Sequence, residues 1–142
     1  MGKKRSKTVA AVSYPVHLIN LQDMMDFIYE DGFFDDWEEL GLDEEEDLPA
    51  LECAITGQPN LGDVIPGAEG LRKLRWAIKG SGKRGGARLI YMYIPEIFIV
   101  YVFLAYKKSE MDDLSQETIK ELASYAKGIR KRLVELYGKQ GI

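Results

Sequence analysis

The stretch GLRKLRWAIKGSGKRGGARLIYMYI, residues 70–94, sets seven Lys or Arg residues among glycines and between two apolar segments. Glycines let a backbone approach a phosphate closely, lysines add point charge, and arginines add planar bidentate donors. Lys83, Arg84 and Arg88 are therefore suited to a phosphate backbone. Clustering with Arg72, Lys73, Arg75 and Lys79, and stacking surfaces at Trp76, Tyr91 and Tyr93, extend that reading to nucleic acid. The plainer alternative is a solvated loop whose charges aid solubility. KGSGKRGG lacks the GxxxxGK[ST] spacing of a P-loop and joins two strand-like runs rather than a strand to a helix, so nucleotide binding is not indicated.

Other chemistries have little to build on. His17 is the only histidine and lies beside Pro15, a structural setting. Cys53 falls on a predicted helix in an acidic segment, a poor environment for a thiolate, and as the only cysteine it has no disulfide partner within the chain. The acidic run 43–47 lacks the ligand spacing of an EF-hand, and Met24, Met25, Met92 and Met111 read as core fillers. No metal, small-molecule cofactor or conventional hydrolase constellation is expected.

The elements that must position the cations sit in a chain of uneven charge. Residues 18–71 hold sixteen Asp or Glu and no Lys or Arg, whereas 72–142 hold fifteen Lys or Arg and seven acids. The net charge of −4 hides a basic half suited to a polyanion. Lys3, Lys4, Arg5 and Lys7 form a loose basic tail over residues 1–8 with no apolar h-region behind it. The longest apolar run, Ile97 to Tyr106, is short for a membrane helix, so a cytoplasmic location is expected. Residues 9–142 read as one domain.

The pattern predicts a first strand over Val9–Ile19. Leu21, Met24, Met25, Ile28 and Tyr29 predict a helix ending near Gly32. Within FFDDWEELGLDEEEDL, an acidic insertion at about 30–47, the apolar anchors Phe33, Phe34, Trp37, Leu40 and Leu42 predict a short packed helix or turn. A further helix with Pro49 in its first turn stops at Gly57, and QPNLGDVIPGAEG reads as a loop. LRKLRW, ARLIYMYI and IFIVYVFLAY predict three antiparallel strands, the last two a hairpin about Pro95-Glu96. Ser115 then caps a helix whose stripe is Ile119, Leu122, Ala126, Ile129, Leu133 and Leu136. The result is an α+β domain.

Taken together, GDVIPGAEGLRKLRWAIKGSGKRGGARLIYMYI, then IFIVYVFLAYKKSEMDDLS and a terminal helix, resemble the RelE/HigB-type toxins of bacterial type II toxin–antitoxin systems. The likeness covers roughly residues 48–135 and is nearest the HigB-like branch. It implies a small antiparallel sheet ordered β-α-α-β-β-β-α with helices on one face. It also implies a ribosome-dependent mRNA endoribonuclease that cuts by attack of the RNA 2′-hydroxyl and is neutralised by a helix-turn-helix antitoxin. By this resemblance Arg88, Lys108, Lys83 and Arg75 are the catalytic candidates. Arg72, Lys73, Lys79, Arg84, Tyr106 and Lys107 are candidates for holding RNA. Arginines would stabilise charge on phosphorus, and a lysine crowded by cations would titrate low enough to move a proton. Ser81 and Ser109 depart from the pattern, where relatives often carry Lys or Arg and Asn respectively. The rival expectation is a catalytically silent RelE-fold module that binds RNA or protein. The acidic segment has two readings: a solvated face, or a mask lying on the basic groove.

Overall fold

A computed structural model of the chain describes residues 2–5, 25–78, 86–109 and 114–138. Its centre is the predicted hairpin. Ala87–Ile94 (β5) and Ile99–Lys107 (β6) pair antiparallel through a turn in which Ile97 and Phe98 donate to the carbonyls of Ile94 and Pro95. Both strands are apolar almost throughout because both faces of this sheet are covered. Arg72–Trp76 (β4) adds to β5, and Asp63–Val64 (β3) adds to β4 within the stretch read as loop.

On the other flank Asp26–Tyr29 (β2) lies parallel to β6, and Lys3–Arg5 (β1) pairs antiparallel with β2. The sheet is thus six-stranded and mixed, in the order β1-β2-β6-β5-β4-β3, where an antiparallel sheet was expected. The helix predicted to end near Gly32 is, over its described part, strand β2. Met25, Phe27 and Tyr29 face one core cluster and Ile28 the other, and a short apolar run covered on both sides mimics helical spacing. The predicted strand Val9–Ile19, His17, Met24 and Met111 lie outside the described residues. Lys3–Arg5, read as part of a loose tail, forms an edge strand.

Helices occupy both faces, not one. Phe33–Glu39 (α1) and Asp47–Gly57 (α2) contribute Phe33, Trp37, Leu48, Leu51 and Ile55 to a cluster with Phe27, Tyr29, Leu89, Tyr91, Val100 and Val102. A buried bond from the Tyr29 hydroxyl to Glu52 Oε2 (2.7 Å) ties β2 to α2. Gln116–Tyr137 (α3) covers the opposite face, packing on Ile28, Ile90, Met92, Tyr101 and Phe103. Ser115 caps it as predicted, its Oγ accepting from the Thr118 N–H at 3.1 Å. The buried stripe is Ala123, Ala126, Ile129 and Leu133; Leu136, predicted to be buried, is 53% exposed.

Candidate functional site

Strand register decides which cations meet. Arg75 stands directly opposite Arg88 in the β4–β5 ladder, and Arg88 stands opposite Tyr106 in β5–β6, so the three form one row on one face of the sheet. Side chains alternate along a strand, which puts Lys73 on the same face one step along, opposite Ile90. Lys108 lies just beyond β6, half-buried, its N–H donating to the Gly86 carbonyl at 3.2 Å. That bond continues the hairpin ladder past the Ala87–Lys107 pair and sets Lys108 beside the start of the Arg88 strand.

Arg88 is only 6% exposed. Among the described residues its guanidinium donates to one acceptor, the Ala87 carbonyl at 3.1 Å, which leaves most of its five N–H donors for a ligand. Like charges directly opposite in a sheet are destabilising, so the Arg75–Arg88 pair is not explained by the stability of the sheet. Tyr106 completes the row with a buried hydroxyl. Gly86 admits this geometry: its φ of +95° favours glycine, and a Cβ there would stand 2.7 Å from the Trp76 carbonyl oxygen.

Beside the row a cavity of about 260 Å³ opens between the sheet and the start of α3. Lys73, Ile90 and Tyr106 form part of its wall, joined by Asp63, Gln116 and Ile119. Sequence reasoning missed the last three: pairing of β3 with β4 sets Asp63 opposite Lys73, and the packing of α3 over the sheet brings Gln116 and Ile119 to the cations.

Other candidates are placed elsewhere. Arg72 points to the opposite face, where Nη1 donates to the Gly62 carbonyl at 2.8 Å. It stands opposite Tyr91, whose hydroxyl accepts from the Gly62 N–H at 2.9 Å and donates to the Pro59 carbonyl at 2.8 Å. Burial pushes the Tyr91 hydroxyl above its ordinary pKa of 10.0, and Arg72 partly offsets that. Arg72 and Tyr91 therefore clamp the 59–62 loop. Trp76, Tyr91 and Tyr93 belong to the α1/α2 core cluster, so the stacking surfaces expected there are on the wrong face. Lys107 is also on that opposite face, lining a cavity with Asp36 and Glu39 of α1. Lys79, Lys83 and Arg84 lie outside the described residues.

The acidic segment does not cover the Arg75–Arg88 row. Phe33 and Trp37 anchor α1 on the opposite face, and Trp37 Nε1 donates to the Asp43 carbonyl at 2.7 Å. Asp36 and Glu39 line a cavity with Lys107 and Tyr106 at the end of β6, and Asp31, Asp35, Asp36, Glu38 and Glu39 are exposed, which favours the solvated reading. Burial and the neighbouring Glu52 push the Cys53 thiol above its ordinary value of 9.0, in keeping with an inert buried cysteine. Among the described residues no group of His, Cys, Asp or Glu could hold a metal ion.

A family model described as the RelE toxin of the RelE/RelB toxin–antitoxin system matches residues 50–137. The chain belongs to the RelE toxin family. The match runs from α2 through β3–β6 to the last residue of α3, so the Arg75–Arg88–Tyr106 row and the adjoining cavity lie within it. Strands β1 and β2 and the acidic α1 precede it. Membership in the RelE family implies an antitoxin as partner. No helix among the described residues is long and apolar enough to cross a membrane.

Proposed function

We propose that this RelE-family toxin is an endoribonuclease that cuts mRNA on the ribosome. The observation that carries the reading is the row formed by Arg75, Arg88 and Tyr106 on one sheet face, with Lys73 and Lys108 at its margins. RNA supplies its own nucleophile. The 2′-hydroxyl attacks the adjacent phosphorus, the bond to the 5′-oxygen breaks, and a 2′,3′-cyclic phosphate remains. The protein then has to grip the phosphate, stabilise the added charge and move two protons. Arg88, buried and rich in unspent donors, takes the non-bridging oxygens, with Arg75 beside it. Lys108 is the proton-moving candidate, and Lys83 is a further one from the glycine-rich segment. Tyr106 orients the bound nucleotide. Lys73, Lys79 and Arg84 extend the phosphate track.

The same reading assigns the chain to the HigB-like branch, with a helix-turn-helix antitoxin and action in the cytoplasm. It treats 9–142 as one toxin domain with an acidic insertion near 30–47. Induced expression tests it. The wild type should arrest growth and cut ribosome-bound mRNA, and Arg88→Ala or Lys108→Ala should relieve both. Wild-type expression with no arrest and no cleavage would leave a silent RNA-binding module in its place.

A further inference from the structure

Strand β6 outlasts the strand beside it. Its partner β2 pairs only with Ile99–Val102, and the last bond on that side runs from the Glu30 N–H to the Val102 carbonyl at 2.9 Å. At Phe103 the ladder to β5 skips a residue, since Tyr91 stands opposite Val102 and Ile90 opposite Leu104. A bulge of this kind twists a strand and ends a pairing. From Phe103 to Lys107, roughly 16 Å at about 3.3 Å per residue, β6 has no neighbouring strand on the β2 side among the described residues.

Backbone alternation fixes what that edge offers. Lys108 donates inward to Gly86, so Tyr106 and Leu104, two and four residues before it, also bond to β5. Ala105 and Lys107 then turn their N–H and C=O groups outward, where they meet no partner among the described residues. Ala105 is 6% exposed, and a buried backbone group left unpaired is costly. The cavity that Lys107 shares with Asp36 and Glu39, about 360 Å³ in volume, lies against these groups. Its lining gives its position. Leu104 and Tyr106 belong with the α3 face and Ala105 with the α1 face, yet all three reach it. Only a space alongside the strand, in line with β2, touches side chains of both faces.

The far wall is acidic. Asp36, Glu39 and Leu40, from α1 and its C-cap, close the cavity opposite β6, and Lys107 is the one cation in the lining. Neither carboxylate forms an ion pair among the described residues. Partial burial and the neighbouring Asp35 push the Asp36 carboxyl above its ordinary value of 3.8. Helix α1 precedes the span matched by the RelE family model, so family membership does not account for this wall. Unpaired strand edges are where extended peptides add as an extra strand; backbone bonds give the affinity and side-chain sites the selectivity. Two carboxylates on the wall favour a cationic segment and disfavour a polyanion.

We propose that the outer edge of β6 is a docking site for an extended segment of a protein partner, one carrying Lys or Arg, which adds as a strand in line with β2. Ala105 and Lys107 bond its backbone, Leu40 and Leu104 pack on its apolar residues, and Asp36 and Glu39 take its cations. Tyr106 belongs both to this cavity and to the arginine row. The docked strand therefore reaches the row from its edge and leaves the face of the arginines open.

The test uses the full chain and synthetic peptides, read by fluorescence anisotropy and by amide hydrogen exchange. Lys-Val-Lys-Val-Lys should bind at low salt, and Glu-Val-Glu-Val-Glu should not. Methylating alternate backbone nitrogens of the first peptide removes strand donors and should weaken it about tenfold or more. Asp36→Asn with Glu39→Gln, both at exposed positions, should weaken it about tenfold, as loss of two exposed ion pairs predicts. In the free protein the Ala105 and Lys107 amides should exchange faster than those of Leu104 and Tyr106, and the peptide should slow them about tenfold or more. Failure of the Lys peptide to bind, equal binding of its N-methylated form, or affinity unmoved by the two amide substitutions overturns the proposal. So does protection that arises at β1 or β3 in place of Ala105 and Lys107. Protection of those two amides in the free chain that grows with protein concentration seats a second copy on the edge and overturns it as well. None of these outcomes depends on RNA cleavage, so the proposed function stands or falls separately.

Discussion

Arg75 and Arg88 are directly opposed residues of neighbouring antiparallel strands, one exposed and the other 6% exposed, both on the sheet face that carries Tyr106. Two guanidinium groups so placed repel one another. Replacing Arg88 by Ala is expected to lower RNA cleavage by about 10²–10³-fold, the usual loss when one preorganised donor to a developing oxyanion is removed. Arg88→Lys should not restore the rate, because an ammonium cannot reproduce the planar fork. Single-turnover cleavage on programmed ribosomes measures both.

Arg72 gives the contrasting case. Its bond to the Gly62 carbonyl lies on the far face, so Arg72→Ala should destabilise the fold by about 1.5 kcal/mol, as loss of a charged hydrogen bond does. Cleavage per folded molecule should stay within about twofold of wild type. Urea denaturation and activity, read on the same preparation, separate the two effects.

At Gly86 the backbone itself is the constraint. Gly86→Ala must adopt a φ of +95° and bring a Cβ against the Trp76 carbonyl, costing about 1–3 kcal/mol and shifting the start of β5. A fall in both thermal stability and cleavage is expected, since Arg88 is two residues away. Stability unchanged by this substitution would contradict the described strand geometry.

The acidic segment should matter for folding and not for RNA. Replacing Asp35, Glu38 and Glu39 by their amides should leave RNA affinity within about twofold at physiological salt, where screening acts beyond about 8 Å. Trp37→Ala removes a fully buried ring and should cost about 3–5 kcal/mol. A large gain in RNA binding from the amide variant would revive the mask.

Asp43 carries a pH signature. Its Oδ1 accepts from the N–H groups of Glu45, Glu46 and Asp47, and these bonds hold its carboxyl below the ordinary value of 3.8. A carboxylate with a depressed folded pKa contributes stability that is present above 3.8 and lost as pH falls through the lower folded value. Asp43→Asn keeps an acceptor and removes the charge. Its Tm should therefore lie below wild type at pH 7, and the gap should close in acid below pH 3.8. Melting curves over that range decide the matter.

The parts legible in the sequence were those whose signal is local. The β5–β6 hairpin, the Ser115 cap, α2 from Pro49 to Gly57 and the basic composition of β4 were all readable from neighbours in the chain. Strand β2 was not, because four residues covered on both faces carry the same apolar pattern as a helix turn, and only pairing with β6 separates the two. Seven cations in one stretch pointed to an anion, yet composition cannot say which side of a strand each side chain takes. Register decided that. It joined Arg75, Arg88 and Tyr106, and sent Arg72 and Lys107 to the other face, where the acidic helix packs. The cavity was wholly a product of tertiary packing, since Asp63, Ile90, Tyr106 and Gln116 come from four elements and have no common spacing until α3 closes over the sheet. Residue type, set by the chain alone, determined that this protein would carry a dense group of cations; the alternation of side chains across paired strands determined which of them share a face.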